Sequence, residues 1–187
     1  LDKVTSFSTR TVSERHYCLV KVRGKDGNEG IGFCYVGSAG GDIAKIAVEQ
    51  LLAPKLIGQN SHRSEGLWME MYNESILQGR TGAVMRGISI LDTALWDLNA
   101  RSVGLPLHQY LGSVVDDRVP AYASGGYYLE GKTPAKLGKE MESYVKQGFK
   151  AVKMKVGRLS PSEEEARVKA ARKAVGDDVL LTLDANN

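Results

Sequence analysis

Val119-Pro120-Ala121-Tyr122-Ala123-Ser124, Phe149-Lys150-Ala151-Val152-Lys153-Met154-Lys155-Val156 and Val179-Leu180-Leu181-Thr182-Leu183 are three short runs of strand-forming residues whose starts fall thirty residues apart. A helix is expected in each gap. Thr133-Pro134 supplies an N-cap with proline at the first helical position, and Leu137, Met141, Tyr144 and Val145 form its apolar face up to Gly148. Ser160-Pro161-Ser162-Glu163 is a capping box opening a second helix that runs to Val175, with Gly176 as its stop. Strand, helix, strand, helix, strand predicts a parallel sheet, because right-handed crossovers bring successive strands side by side. The period suits a (β/α)8 barrel and a doubly wound sheet equally well. Only 69 residues follow Arg118, whereas a barrel needs eight strands and ~250 residues. The chain is therefore expected to be a piece of a longer protein. A complete small α/β domain is the alternative.

Two of these strands carry charge where a covered parallel strand is ordinarily apolar. Side chains alternate, so Lys153 and Lys155 share one face while Val152, Met154 and Val156 share the other. In a barrel the helix side is apolar, which places both amines in the lumen near the C-terminal rim, where active sites of that fold sit. Mutual repulsion and desolvation are expected to lower at least one of their pKa values, as a lysine general base requires. Solvated lysines guarding an edge strand are the structural alternative. In Thr182-Leu183-Asp184-Ala185-Asn186, alternation sets Thr182, Asp184 and Asn186 on one face. A carboxylate and an amide at a strand end suit a hard cation such as Mg2+. An Asp-Asn turn capping the next helix is the plainer reading.

Upstream, His16 to Arg23 and Ile31 to Val36 flank the turn sequence Gly24-Lys25-Asp26-Gly27-Asn28-Glu29-Gly30, which predicts a hairpin with Cys18 facing Cys34. Two buried free thiols fit better than a redox pair. Ile43 to Leu52 has helical spacing and is expected to stop at Ala53-Pro54. Val84, Ile88, Leu91, Leu95 and Leu98 form one face of a further helix that ends before Gly104 and Pro106.

Composition narrows the class. With 25 Lys+Arg, 22 Asp+Glu and 42% apolar residues in 187, the chain suits one or two globular domains. A net charge of +3 does not by itself imply nucleic acid. Eight Lys/Arg lie between Gly131 and Arg158 against Glu140 and Glu142, but no aromatic stacking platform accompanies them. No run reaches the ~18 apolar residues of a membrane span, and the first residues lack the pattern of a secretory signal. Two cysteines cannot make a disulfide framework, so a cytoplasmic location is expected.

Lys153-Met154-Lys155 ending one strand and Leu183-Asp184-Ala185-Asn186-Asn187 ending the next resemble the enolase superfamily, in its mandelate racemase and muconate lactonizing branch. Ala94-Leu95-Trp96-Asp97-Leu98, Gly104-Leu105-Pro106-Leu107 and Tyr110-Leu111-Gly112 resemble the last helix and connector of that family's capping domain. The resemblance implies an α+β capping domain over residues 1–112, followed over 113–187 by an incomplete α/β barrel domain of the TIM-type, (β/α)7β-like. It implies abstraction of the proton α to a carboxylate, with an enediolate held by Mg2+. On the matching positions, Lys155 is the general base, and Lys153 lowers the pKa of Lys155 and contacts the substrate carboxylate. Asp184 is the first of three metal-binding carboxylates, Asn186 faces the substrate, and Ser124 is a candidate substrate contact. His16, His62 and His108 match no catalytic position. Substrate choice would come from Thr5 to Val12 and Tyr35 to Gly41.

The expected partner is a small carboxylate substrate, a hydroxy acid or sugar acid, turned over by a dehydratase or racemase. A lactonizing-type cycloisomerase of the same superfamily is the alternative. A Schiff-base lyase using Lys153 or Lys155 as nucleophile is a second enzyme class, and anion binding without catalysis is a third reading. A homo-oligomer is expected, without nucleic-acid or membrane partners.

Overall fold

The computed structural model describes residues 4–112 and 118–186. The expected boundary between 112 and 113 and the terminal Asn187 therefore touch residues outside those described. The chain forms two compact units, Glu14–Asp117 and a second that joins residues up to Ser13 with Arg118 onward.

In the first unit, β3 (His16–Arg23) and β4 (Glu29–Gly37) form an antiparallel pair; the strands before them, β1 (Thr5–Phe7) and β2 (Arg10–Val12), belong to the other unit. The register sets Cys18 opposite Cys34, as the turn sequence predicts, and both thiols are free. The turn closes through Gly24 N–H to Asn28 O at 2.9 Å, and Asp26 accepts the Asn28 N–H, while Gly27 takes φ 85°.

Helices α1 (Gly41–Ile46) and α2 (Ala53–Leu56) are joined by a π-helical turn over Ala47–Leu52. Helix therefore runs past Pro54 rather than stopping before it. The Ala53 N–H bonds the Val48 carbonyl five residues back, and this widened turn admits a proline at the start of α2, where no N–H is needed. Helix α3 (Ser64–Glu74), which has no counterpart in the sequence reading, packs Leu67 and Met71 inward. Helix α4 (Ala83–Ser102) buries Ile88, Leu91, Ala94, Leu95 and Leu98, the predicted stripe. Short α5 (Leu107–Tyr110) follows.

In the second unit, β5 (Ala123–Gly125), β6 (Ala151–Lys155) and β7 (Leu180–Asp184) form a parallel sheet in the order β5-β6-β7. Helix α6 (Pro134–Lys146) is capped by Thr133, whose side chain accepts the Lys136 N–H, and α7 (Pro161–Val175) opens with the Ser160–Glu163 capping box. The strand expected from Val119 is shorter than the sequence suggests: Pro120 lacks a ladder donor, and pairing starts at Ala123. Val152 and Met154 are fully buried with Leu137, Met141 and Ala171, so the helices cover one face of the sheet. The hairpin β1–β2 belongs to this unit through the Ser6–Tyr128 bridge, with backbone bonds of 3.0 and 3.1 Å.

Candidate active site

Register decides the site. Ser124 pairs with Lys153, Lys153 with Thr182, and Lys155 with Asp184, so these residues lie across three neighbouring strands near their C-terminal ends. With Val152 and Met154 turned into the helical core, alternation sends both lysines to the opposite face. There they converge on one oxygen. Lys155 Nζ lies 2.6 Å and Lys153 Nζ 3.3 Å from Asp184 Oδ2. Lys155 is 7% exposed, an unusual place for an ammonium without a partner.

Aromatic groups surround the amines. The Tyr122 hydroxyl is 3.2 Å from Lys153 Nζ, and the rings of Tyr127 and Phe7 lie 5.7 and 5.9 Å from Lys155 Nζ. Phe7 comes from the hairpin β1–β2, which is tied down by Arg158 donating to the Phe7 carbonyl at 3.1 Å and by Ser8 donating to the Ala185 carbonyl.

The lowering expected on at least one lysine does not fall on Lys153. Its ammonium is held above the ordinary lysine value, chiefly by the Tyr122 hydroxyl against the cost of burial, with Asp184 adding to it. Asp184 is pulled down to about 2, first by Lys155 and then by the Asn186 N–H, burial opposing and Lys153 assisting. Mutual repulsion of the amines is answered by the shared carboxylate.

Asn186 departs from the strand pattern. Strand β7 ends at Asp184, Asn186 turns into the left-handed region at φ 60°, and its N–H bonds Asp184 Oδ1 at 2.9 Å. The Asx-type turn is formed, so strand alternation no longer sets where Asn186 faces. Ser124 is exposed opposite Lys153. Sequence reasoning missed Tyr122 and Tyr127, and reached Phe7 only as part of the stretch Thr5 to Val12. Tyr122 shares the alternating face of Ser124 and could have been found that way; no periodicity places Phe7, far away in the chain, beside Lys155.

As a cation donor set, Asp184 offers hard carboxylate oxygens, ionised at any physiological pH, at a strand end. Among the described residues no group of three His, Cys, Asp or Glu is placed to hold a metal.

Charged groups meeting at the C-terminal ends of parallel strands, backed by helices, form the kind of site that β/α-barrel enzymes carry. Residues 2–112 match the mandelate racemase / muconate lactonizing enzyme N-terminal domain, and residues 136–187 match the enolase C-terminal domain-like family. The chain belongs to the mandelate racemase / muconate lactonizing enzyme family of the enolase superfamily, as a capping domain with the first part of a barrel.

It is 41% identical over 146 residues to an arabinonate dehydratase of Saccharolobus solfataricus, covering 78% of this chain and 39% of that protein. It is 36% identical over 167 residues to a 3,6-anhydro-alpha-L-galactonate cycloisomerase of Streptomyces coelicolor, covering 89% and 45%. The crystal structure of a racemase from Streptomyces coelicolor A3(2) with bound magnesium matches with a TM-score of 0.91 and 32% identity, over all of this chain and 52% of that one. The chain thus spans about half the length, or less, of these relatives.

Proposed function

We propose that the full-length protein abstracts the proton α to the carboxylate of a sugar acid or hydroxy acid, as a Mg2+-dependent dehydratase or racemase. The observation that carries this reading is the convergence of Lys153 and Lys155 on one Asp184 oxygen at adjacent strand ends. Similarity to a sugar-acid dehydratase supports the substrate class. A cycloisomerase is the second reading, supported by the 36% identical relative.

The chemistry follows from the amines. Lys155 Nζ, buried and walled by Tyr127 and Phe7, would take the α-proton as general base. Lys153, whose ammonium is stabilised by Tyr122, would stay charged and hold the substrate carboxylate. Ser124 and Asn186 are proposed substrate contacts. Asp184 would be one oxygen donor to Mg2+, a cation that keeps waters and takes few carboxylates. When bound, Mg2+ supplies positive charge where negative charge develops on the substrate carboxylate. The hairpin carrying Phe7 falls in the Thr5–Val12 stretch and would help to choose the substrate.

Further parts of the proposal are a capping domain over 1–112 with a barrel from 113, a cytoplasmic location and a homo-oligomer. Among the described residues, no helix is long and apolar enough to cross a membrane.

The test is deuterium exchange at Cα in D2O across a panel of aldonates and aldarates with Mg2+. Lys155→Ala should slow exchange by about 10²–10⁴-fold. Retained exchange refutes the base assignment, and a borohydride-trapped adduct on either lysine would replace the reading with Schiff-base chemistry.

A further inference from the structure

One turn into α7, two charged side chains sit where a solvated helix face would be expected. Arg167 is 5% exposed. Its partner Glu164, one turn earlier, pairs with it at 2.8 Å, and their side chains are 6% and 13% exposed. Burying an ion pair is costly, and apolar residues of similar volume often do as well for stability. What these two groups hold is therefore informative.

Their remaining hydrogen bonds go to one place. Arg167 donates 3.1 Å to the carbonyl of Lys155 and 2.8 Å to the carbonyl of Gly126, and its guanidinium stacks on the Tyr128 ring at 3.9 Å. Glu164 Oε1 accepts the backbone N–H groups of Gly157, Arg158 and Leu159 at 3.0–3.1 Å and the Tyr128 hydroxyl. Tyr128 in turn pairs its backbone with Ser6, and Arg158 donates to the Phe7 carbonyl. The pair thus grips the end of β6 at the Lys155 carbonyl, the loop that follows it at the Gly157, Arg158 and Leu159 N–H groups, the end of β5, and the attachment of the hairpin that carries Phe7.

We propose that Arg167 and Glu164 are positioning residues for Lys155: they fix the backbone from which its amine reaches Asp184 and keep Phe7 beside it. This rests on the proposed role of Lys155 as base. Guanidinium geometry is suited to the task, since its planar fork reaches two carbonyls and a carboxylate at once, which a lysine ammonium cannot do as a rigid unit. Misplacing a reacting group by about 1 Å can cost about 100-fold in rate, so loosening this grip acts on turnover before it acts on binding.

The experiment uses the full-length protein carrying Arg167→Met, Arg167→Lys or Lys155→Ala. In Arg167→Met, kcat for deuterium exchange should fall about 10–100-fold with KM within about threefold. Arg167→Lys should recover part of that loss, because charge and one carbonyl contact are kept. A readout that needs no substrate accompanies it. Acetylation of Lys155 by acetic anhydride, followed by mass spectrometry relative to exposed Lys146, should rise at least about fivefold in both Arg167 variants as the amine leaves its protected site. Unchanged kcat together with unchanged Lys155 protection in either folded variant overturns the positioning role. Should Arg167→Met not fold, Arg167→Lys decides alone. Should Lys155→Ala retain exchange, the base assignment falls, while Lys155 protection still judges whether the pair holds that side chain.

Discussion

The residues that face the site differ in how much of their environment a sequence can announce. Lys153, Lys155 and Asp184 were legible because a charge inside a strand breaks a simple period, and alternation then says which face it takes. For Asn186 the sequence offers both strand alternation and an Asp-Asn turn, and the turn forms because β7 ends at Asp184. Arg167 gave no signal at all. An arginine on a helix is ordinarily solvated, and only the backbone carbonyls of Gly126 and Lys155 explain why this one is inside. Glu164 makes a prediction at the same scale. Burial alone would raise its pKa, but the Tyr128 hydroxyl, the Leu159 and Arg158 N–H groups and Arg167 outweigh that and hold the carboxyl below its usual range. Its folded pKa is thus lower than its unfolded one, so the ionised form stabilises the fold; that stability is present above about pH 4.3 and is lost as pH falls toward the lowered value. Glu164→Gln should cost about 3 kcal/mol at pH 7 by leaving Arg167 unpaired. Urea unfolding of variant and wild type at pH 7 and at pH 3.5 should show that gap narrowing in acid. A gap constant with pH would mean that the carboxylate charge is not what the network uses.

Elements were legible where one face repeats and obscure where they are short. The stripe Ile88, Leu91, Leu95, Leu98 announced α4, and the two capped helices α6 and α7 start where their first residues say. The strands Thr5–Phe7 and Arg10–Val12 are three residues each, too short for any period to show. What the stripe could not say is how near α4 comes to the sheet. Gly30 and Gly32 of β4 answer that: a Cβ on Gly32 would stand 1.9 Å from the Ile90 carbonyl oxygen, and one on Gly30 would stand 2.0 Å from that of Ala94. Both obstacles are helix backbone and cannot rotate away. Two glycines at alternate positions thus let the helix lie against the strand, which is a recurring reason for glycine inside a strand. Gly32→Ala should destabilise the protein by about 2–3 kcal/mol through overpacking. Lys25→Ala, in the exposed turn of the same hairpin, should stay within about 0.5 kcal/mol. Equal effects in chemical denaturation would mean that close helix approach is not what these glycines provide.

For the whole molecule, the thirty-residue rhythm was enough to read a parallel β/α segment. The family match over residues 136–187 supports it. That the opening hairpin joins the barrel strands rather than the sheet of the other unit was not readable, since it depends on Ser6 meeting Tyr128 across more than a hundred residues. The three parallel strands now have two unlike faces. One is closed by α6 and α7 over Val152 and Met154, and the other carries the amines of Lys153 and Lys155 and the Asp184 carboxylate. A divalent cation on that second face would have to compete with both lysines for Asp184. Cation binding that overcomes this competition must appear as stability of the whole folded protein, because a ligand that binds only the native state adds RT ln(1 + [L]/Kd). In the full-length protein, Mg2+ at about one hundred times its Kd should therefore add about 2.7 kcal/mol over an EDTA-treated sample, seen as a rise in Tm by calorimetry. Asp184→Asn should lose most of that rise, because the amide brings no charge to the cation. Lys155→Ala should keep it or enlarge it, since one competitor for the carboxylate is gone. A rise of the same size in Asp184→Asn would remove Asp184 from the metal site and leave it as the counterion of the two lysines.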